Sequence, residues 1–179
     1  MNYKLSYQKW FWIDHHWATI FELTDIDWLD LNLESGELLN SLIGTELFNL
    51  SQLYQWFDQE KIGVQVENLN RPFDTDNLDA SDFTQIVTIW DLVKEITDFE
   101  NEDSWRDDLE DFKVLNRQVL EVIKEKFSFT GWVWYLNKKS LEWVEWNLMD
   151  NHWVYSYYLV VVEVDADNDT VRIVEIGYD

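Results

Sequence analysis

Apolar and polar residues alternate near the N-terminus over two short stretches that a tight turn separates. Residues 3–13, YKLSYQKWFWI, combine aromatic and other strand-favouring residues with polar ones at a partial period of two. Residues 17–23, WATIFEL, follow almost at once. Alternation of this kind is typical of half-buried strands. The sequence therefore predicts a β-hairpin with its turn at Asp14 to His16.

The middle of the chain changes to a spacing of three and four residues between apolar positions, which is typical of amphipathic helices. Helices are predicted over residues 37–61 with a break at Gly44, over 82–99 with Ser81 or Asp82 as the N-cap, and over 105–127. The predicted apolar face of the second helix consists of Phe83, Ile86, Val87, Trp90, Val93 and Ile96. That of the third consists of Trp105, Leu109, Phe112, Leu115, Val119, Val122 and Ile123.

Two further features mark the ends of these helices. ENEDS, residues 100–104, is expected to interrupt the chain between the second and third helix. Before the first helix, Leu29, Leu31 and Leu33 alternate with polar residues, and this alternation predicts a short strand or extended segment that ends at Ser35 and Gly36.

The last fifty residues return to strand-like patterns that short polar turns separate. The predicted strands are GWVWYLN (131–137), LEWVEWNLM (141–149), HWVYSYYLVVVEV (152–164) and TVRIVEIGY (170–178). Apolar residues occupy both faces of residues 152–162, as expected for a central strand that is covered on each side.

These elements together predict an α+β fold. A mainly antiparallel sheet is built from the N- and C-terminal segments, and helices from the middle of the chain pack on it. The length of 179 residues fits a single domain over 1–179. Residues 67–82 contain the only proline and many turn-forming residues, so this loop is predicted to be the most flexible segment.

The composition also indicates a cellular compartment. The chain has no cysteine, which excludes disulfides, a thiolate nucleophile and cysteine-based zinc sites and fits a reducing compartment. Neither a signal peptide nor a membrane span is predicted, because the N-terminus lacks a basic region before an apolar run and the longest uncharged apolar run is residues 152–162. We expect a cytoplasmic protein.

Charge is the strongest functional signal in the sequence. The net charge is −23, and residues 1–111 hold 25 acidic residues against 6 basic ones. Residues 113–139 reverse the balance, with six basic and two acidic residues. Such a surface repels nucleic acid and anionic membranes and attracts cationic molecules. The predicted partner is a basic protein, with no direct nucleic-acid binding and no membrane binding.

Residues 98–112, DFENEDSWRDDLEDF, place acidic side chains around aromatic ones. Trp105 could anchor an interface while neighbouring carboxylates meet lysines or arginines of a partner. The predicted partner-binding residues are Asp98, Glu100, Glu102, Asp103, Trp105, Asp107, Asp108 and Asp111. An alternative stays open, since acidic residues at the start of a helix also stabilise it through the helix dipole.

Three histidines offer a weaker indication of an enzyme. His15, His16 and His152, with Asp14 and Asp150, could form a metal or acid–base centre if the two hairpin ends lie side by side. Adjacent residues of a strand point to opposite faces, however, so His15 and His16 would share an ion only if the turn twists them. The sequence also lacks His-x-x-x-His and Glu-x-x-His motifs. We predict no catalytic residues, no cofactor and no metal.

Other motifs favour structural roles. DADNDTVRIVEI, residues 165–176, begins like a calcium loop, but Thr170 stands where that loop needs glycine and Ile176 where it needs glutamate. A polar β-turn is the better interpretation. WFWIDHHW and WNLMDNHW share Asp-x-His-Trp after a common Trp, which similar turn chemistry explains. The chain contains no P-loop, no Gly-x-Gly-x-x-Gly and no Gly-x-Ser-x-Gly.

The sequence thus leads to a function hypothesis based on size and charge, with no motif behind it. The first interpretation is an immunity-type inhibitor that covers the cationic nucleic-acid-binding cleft of a nuclease toxin or a similar protein. The second is a DNA mimic that blocks a restriction or CRISPR nuclease, whose carboxylates would run in rows at phosphate-like spacing. The third is a metal-dependent enzyme built on His15, His16 and His152.

Overall fold

Six strands form one antiparallel sheet in the computed structural model, which describes residues 3–14, 16–27, 29–30, 32–43, 79–102, 109–136 and 157–178. The strands are β1 (Lys4–Ile13), β2 (His16–Thr24), β3 (Thr84–Ile86), β4 (Trp132–Leu136), β5 (Tyr157–Asp165) and β6 (Thr170–Tyr178). Across the sheet they follow the order β1-β2-β6-β5-β4-β3. The helices of the described residues are α1 (Ser35–Ile43), α2 (Ile89–Glu102) and α3 (Leu109–Lys126). The predicted α+β class is confirmed.

The N-terminal hairpin forms where the sequence predicts it. Ile13 pairs with His16, and Asp14 follows Ile13 with a φ of 52°. Aspartate adopts this left-handed backbone more easily than most residues, which suits it to a tight turn. Further along β1 the register shifts between Leu5 and Tyr7. This bulge lets the hydroxyl of Ser6 donate a 3.0 Å hydrogen bond to a carboxylate oxygen of Glu22 on β2.

The two C-terminal strands lie in the middle of the sheet, where both faces are covered. Val160, Val162 and Val164 of β5 are fully buried on one face, and Leu159 and Val161 are fully buried on the other. This confirms the predicted central strand for its described part. The predicted strand at 141–149 and residues 152–156 lie outside the described residues.

Each face of the sheet has its own apolar core. One core contains Leu38, Leu39 and Leu42 of α1, so we call that side the α1 face. The opposite core, on the α2–α3 face, contains Leu92 and Ile96 of α2. From α3 it takes Phe112, Leu115, Val119, Val122 and Ile123, all members of the predicted apolar stripe. Within the described residues, no helix combines the length and apolarity that a membrane crossing requires.

The predicted helix over 82–99 is wrong at its start. Residues 80–82 form a single 3₁₀ turn that Asp79 caps, and β3 then pairs with β4 before α2 begins at Ile89. Thr88, rather than Ser81 or Asp82, supplies the cap, because its hydroxyl accepts from the backbone N–H of Asp91 at 3.2 Å. The Asp91 carboxylate in turn accepts from the backbone N–H of Thr88 at 2.8 Å. At its other end α2 continues through Glu102, so ENEDS does not interrupt it at residue 100.

No strand forms among the described residues around Leu29 and Leu33, so the strand form of that prediction is wrong there. Asp30 accepts hydrogen bonds from Asn32 through its carboxylate and from Leu33 through its carbonyl oxygen. These contacts lie within one short stretch of the chain, and none of its described residues joins the sheet.

Two long predicted segments lie only partly within the described residues. The helix predicted over 37–61 is observed as α1, and residues 44–61 lie outside the described residues. Of the predicted flexible loop at 67–82, residues 79–82 form the capped 3₁₀ turn and the remainder lies outside the described residues. The backbone N–H of Ala80 also donates to the side-chain oxygen of Asn40 at 2.7 Å, which ties this turn to α1.

Removing the cap of α2 should destabilise the protein measurably. Thr88→Ala deletes the hydroxyl that accepts from the backbone N–H of Asp91, and loss of such a cap costs about 1 kcal/mol. Thr97→Ala, at an exposed position of the same helix, is the matched control and should change stability by less than about 0.5 kcal/mol. Urea unfolding of both variants measures the difference, and equal stabilities would show that the cap contributes nothing.

Candidate functional site

The acidic segment predicted to bind a partner spans the end of α2 and the start of α3. Asp98, Glu100 and Glu102 belong to α2, and Asp111 belongs to the first turn of α3. The other predicted contact residues, Asp103, Trp105, Asp107 and Asp108, lie outside the described residues. The structure therefore describes the two flanks of the predicted segment.

Two of the described carboxylates have partners within the chain. Asp98 accepts a 2.6 Å hydrogen bond from the ammonium of Lys94, and both side chains are exposed. Glu100 accepts a 2.9 Å hydrogen bond from the side-chain amide of Asn116, a buried residue of α3. Glu100 thus helps to hold α2 against α3, whereas an exposed pair such as Lys94–Asp98 contributes little to stability.

An exposed apolar pair precedes these acids on α2. Trp90 is 74% exposed and Val87 is 71% exposed, the highest values among the exposed large hydrophobic residues. The sequence predicts both residues on the apolar face of a helix, and this prediction is wrong. Because α2 begins at Ile89, its buried positions are Leu92 and Ile96, which leaves Trp90 on the outer side. The signal was present in the sequence, since Lys94 and Asp98 follow Trp90 at four-residue intervals.

Negative charge surrounds this exposed pair. Residues 79–102 contain seven acidic residues and one basic residue, Lys94. The hydrogen bond from Lys94 to Asp98 and the charges of Asp98, Glu95 and Asp91 raise the pKa of Lys94. The same interactions show that the single lysine is compensated by several carboxylates. The outer side of α2 therefore carries an excess of negative charge beside an exposed aromatic ring.

Salt should stabilise this protein. Carboxylates that repel one another across a surface of net charge −23 are screened when the Debye length shrinks from about 30 Å at 0.01 M ionic strength to about 8 Å at 0.15 M. The melting temperature, followed by circular dichroism, is expected to rise over that range. A flat or falling response would mean that repulsion between the acids is negligible.

A second charged group crosses the centre of the sheet on the α2–α3 face. Glu22 of β2, Arg172 of β6 and Glu163 of β5 stand opposite one another in register. The guanidinium of Arg172 donates to Glu22 at 2.8 Å and to Glu163 at 2.7 Å, and it lies 3.5 Å from Asp165. We call these four residues the Arg172 network. The sequence analysis did not identify it, although acids and an arginine within valine-rich strands were the available signal.

Glu163 also binds the loop between α3 and β4. One oxygen of its carboxylate accepts from the backbone N–H groups of Ser128 and Phe129, each at 2.9 Å, and from the Ser128 hydroxyl at 3.2 Å. Phe129 has a φ of 53°, a conformation that non-glycine residues rarely adopt. The buried carboxylate thus fixes a strained loop as well as the arginine.

The two remaining carboxylates of the Arg172 network are stabilised in their charged forms. Burial acts to raise the pKa of Glu22, but hydrogen bonds from Arg172 and Ser6 and the charges of Arg172 and Lys126 outweigh it and lower the pKa. Burial also acts to raise the pKa of Asp165, but hydrogen bonds from Asn168 and Arg172 outweigh it, so the pKa is lowered. Because every carboxylate of the network accepts hydrogen bonds from groups within the chain, we interpret the network as structural.

The histidines and the calcium-like loop were the other candidates from the sequence. His16 is fully buried and stacks on Phe112 with ring centroids 5.4 Å apart, while His15 and His152 lie outside the described residues. Residues 166–168 form a 3₁₀ turn, and Asp165 accepts from the side chain of Asn168 at 2.9 Å. Across the described ranges, no group of three or more potential ligands is arranged to hold a metal ion.

Comparisons with models of known protein families, with curated proteins and with solved structures give no match to this chain. The proposals that follow are therefore argued from the chain's own residues.

Proposed function

We propose that this chain is an acidic inhibitor of the immunity type, which binds a basic protein such as a nuclease toxin and covers its nucleic-acid-binding cleft. The observation that carries the proposal is the charge of residues 79–102, seven acids against one lysine, five of these acids being on α2. Clefts that bind nucleic acid are cationic because they neutralise phosphates. An acidic protein surface competes for the same field and associates rapidly through electrostatic steering.

Co-expression tests the proposal directly. We expect a basic protein to be encoded beside this gene; it should inhibit growth when expressed alone, and this chain should restore growth. In vitro, the two purified proteins should form a stoichiometric complex that lacks nuclease activity. A neighbouring protein that shows neither toxicity nor binding at low salt would contradict the proposal.

Matched charge variants identify the side of the sheet that binds. The first variant combines Asp91→Asn, Glu95→Gln and Asp98→Asn on α2. The control removes three exposed acids on or before α1, Asp25→Asn, Glu34→Gln and Glu37→Gln, and so changes the net charge by the same amount. The α2 variant should associate with the basic partner more slowly than the control does, and its association rate should depend less on salt concentration. Equal association rates would show that only net charge matters.

Specificity for one partner, and not competition with duplex DNA, separates this proposal from DNA mimicry. A nuclease held through its nucleic-acid-binding cleft should release this chain when DNA is added in excess, whichever of the two strategies is used. A mimic, however, should bind several unrelated DNA-binding proteins, because it reproduces a phosphate pattern that they share. An immunity-type protein should bind its own partner at least about 1,000-fold more tightly than unrelated nucleases.

A further inference from the structure

We propose that Trp90 and Val87 form the apolar anchor of the docking surface, and that the partner is a cationic protein that presents an apolar recess rimmed by lysine or arginine. This inference rests on the proposed function and deepens it by naming the contact. It adds an anchor at the start of α2 to the one that the sequence predicts at Trp105, which lies outside the described residues.

Exposure is the first argument. Trp90 and Val87 leave most of their apolar surface in water, although the same chain buries an apolar core on each face of its sheet. Tryptophan is enriched among the few residues that supply most of the binding energy at protein interfaces. A pair of this kind therefore has a large amount of apolar surface to bury in a partner.

The pair is also held in place. Ile86, just before Val87, is buried and pairs with Val133 of β4. Leu92, two residues after Trp90, is buried in the core of the α2–α3 face. Between these two points the reciprocal hydrogen bonds of Thr88 and Asp91 fix the start of the helix. The anchor is thus preorganised, which reduces the entropy that binding would otherwise lose.

Charge selects the kind of partner. Asp91, Glu95 and Asp98 lie on α2 around and beyond Trp90, and Lys94 is already hydrogen-bonded to Asp98. A second copy of this chain would bring together two chains of net charge −23 through their acidic α2 surfaces, which disfavours self-association through this site. Nucleic acid and anionic membranes are repelled for the same reason. A cationic protein surface can cover the aromatic ring and also pair with the carboxylates that lie beside it on α2.

The test is isothermal titration calorimetry with the purified basic protein encoded beside this gene as the probe. Trp90→Ala should weaken binding by about 30-fold or more, as expected for an interface anchor. Trp12→Ala removes a tryptophan that is 48% exposed on β1, the opposite edge of the sheet from β3, and should change affinity by less than about threefold. Circular dichroism should show both variants to be folded.

Hydrogen exchange of the wild-type complex provides a readout that needs no variant. Backbone amides of residues 87–98 should gain protection on binding, while those of α1 should not. If the wild-type chain binds but Trp90→Ala binds equally well and residues 87–98 gain no protection, the docking site is overturned and the proposed function stands. If the wild-type chain does not bind the probe, both are overturned.

Discussion

Arg172→Met should reduce the free energy of unfolding by about 3–5 kcal/mol, because it leaves buried carboxylates without their cation. Arg172 is the only basic residue that contacts Glu22, Glu163 and Asp165 among the ion pairs of the described residues. Methionine retains most of the packing volume of the side chain, so the loss would report charge rather than a cavity. Urea unfolding monitored by tryptophan fluorescence measures it.

Arg117→Met is the matched control for that experiment. Arg117 is exposed on α3 and donates to the carbonyl oxygen of Lys113 at 3.1 Å. Its replacement should change stability by less than about 0.5 kcal/mol. If the two methionine variants were equally stable, the central arginine would contribute no more than a surface charge.

The dependence on pH gives the Arg172 variant a distinct signature. Glu22 and Asp165 have pKa values below their ordinary 4.5 and 3.8, so they stabilise the folded state above those values and lose that contribution as the pH falls through the lowered pKa. The wild-type protein should therefore become less stable below pH 4.5. In Arg172→Met, Glu22 and Asp165 lose a donor that lowers their pKa, so protonation of these carboxylates in acid should cost the variant less stability than it costs the wild-type protein. The stability difference between the two proteins should narrow as the pH falls.

Gly131→Ala should destabilise the protein by about 1–3 kcal/mol, because the added Cβ would collide with the backbone of β5 beside the Arg172 network. A Cβ at residue 131 would lie within the van der Waals radius of the backbone carbonyl oxygen of Val164, and it would also crowd the Cα of Asp165. A backbone carbonyl in a central strand cannot rotate away as a side chain can. Glycine is needed here for close approach, since it lets the loop that Glu163 binds run against β5.

Gly36→Ala shows what the same substitution does in open space. The nearest heavy atom to a Cβ at residue 36 is the Cβ of Ala80 at 4.0 Å, an ordinary contact. Because Gly36 lies in the first turn of α1, alanine should be neutral or stabilise the protein by about 0.5 kcal/mol. Thermal unfolding of both variants checks the prediction. A Gly131→Ala protein as stable as Gly36→Ala would show that the loop can shift at no cost.

Long, strongly periodic segments were predictable from the sequence. The N-terminal hairpin, the apolar stripe of α3 and the buried run of valines in β5 each repeat a pattern over several residues, so one ambiguous position does not change the assignment. The start of α2 was not predictable in this way. Three residues of β3 carry too little pattern to be separated from the helix, and the resulting error in helical phase placed Trp90 in the core.

The Arg172 network was missed for a different reason. Glu22 and Arg172 are 150 residues apart in sequence, and only the pairing of β2 with β6 brings them together. A charged residue in a strand is usually taken as a solvent-facing position, because the local pattern carries no information on what covers it. The metal alternative and the anchor at Trp105 depend on His15, His152 and residues 103–108, which lie outside the described residues, and both stay predictions.

The position of β6 between β2 and β5 sets the order in which this chain can fold during translation. A ribosome completes the N-terminal hairpin long before it adds Arg172, yet that hairpin joins the rest of the sheet only through β6. Until then the hairpin can pack against α3, but it has no strand of the rest of the sheet to pair with. The sheet therefore becomes continuous only after β6 has been synthesised. In nascent chains stalled before Thr170, the hairpin should be more sensitive to protease than in chains that include β6.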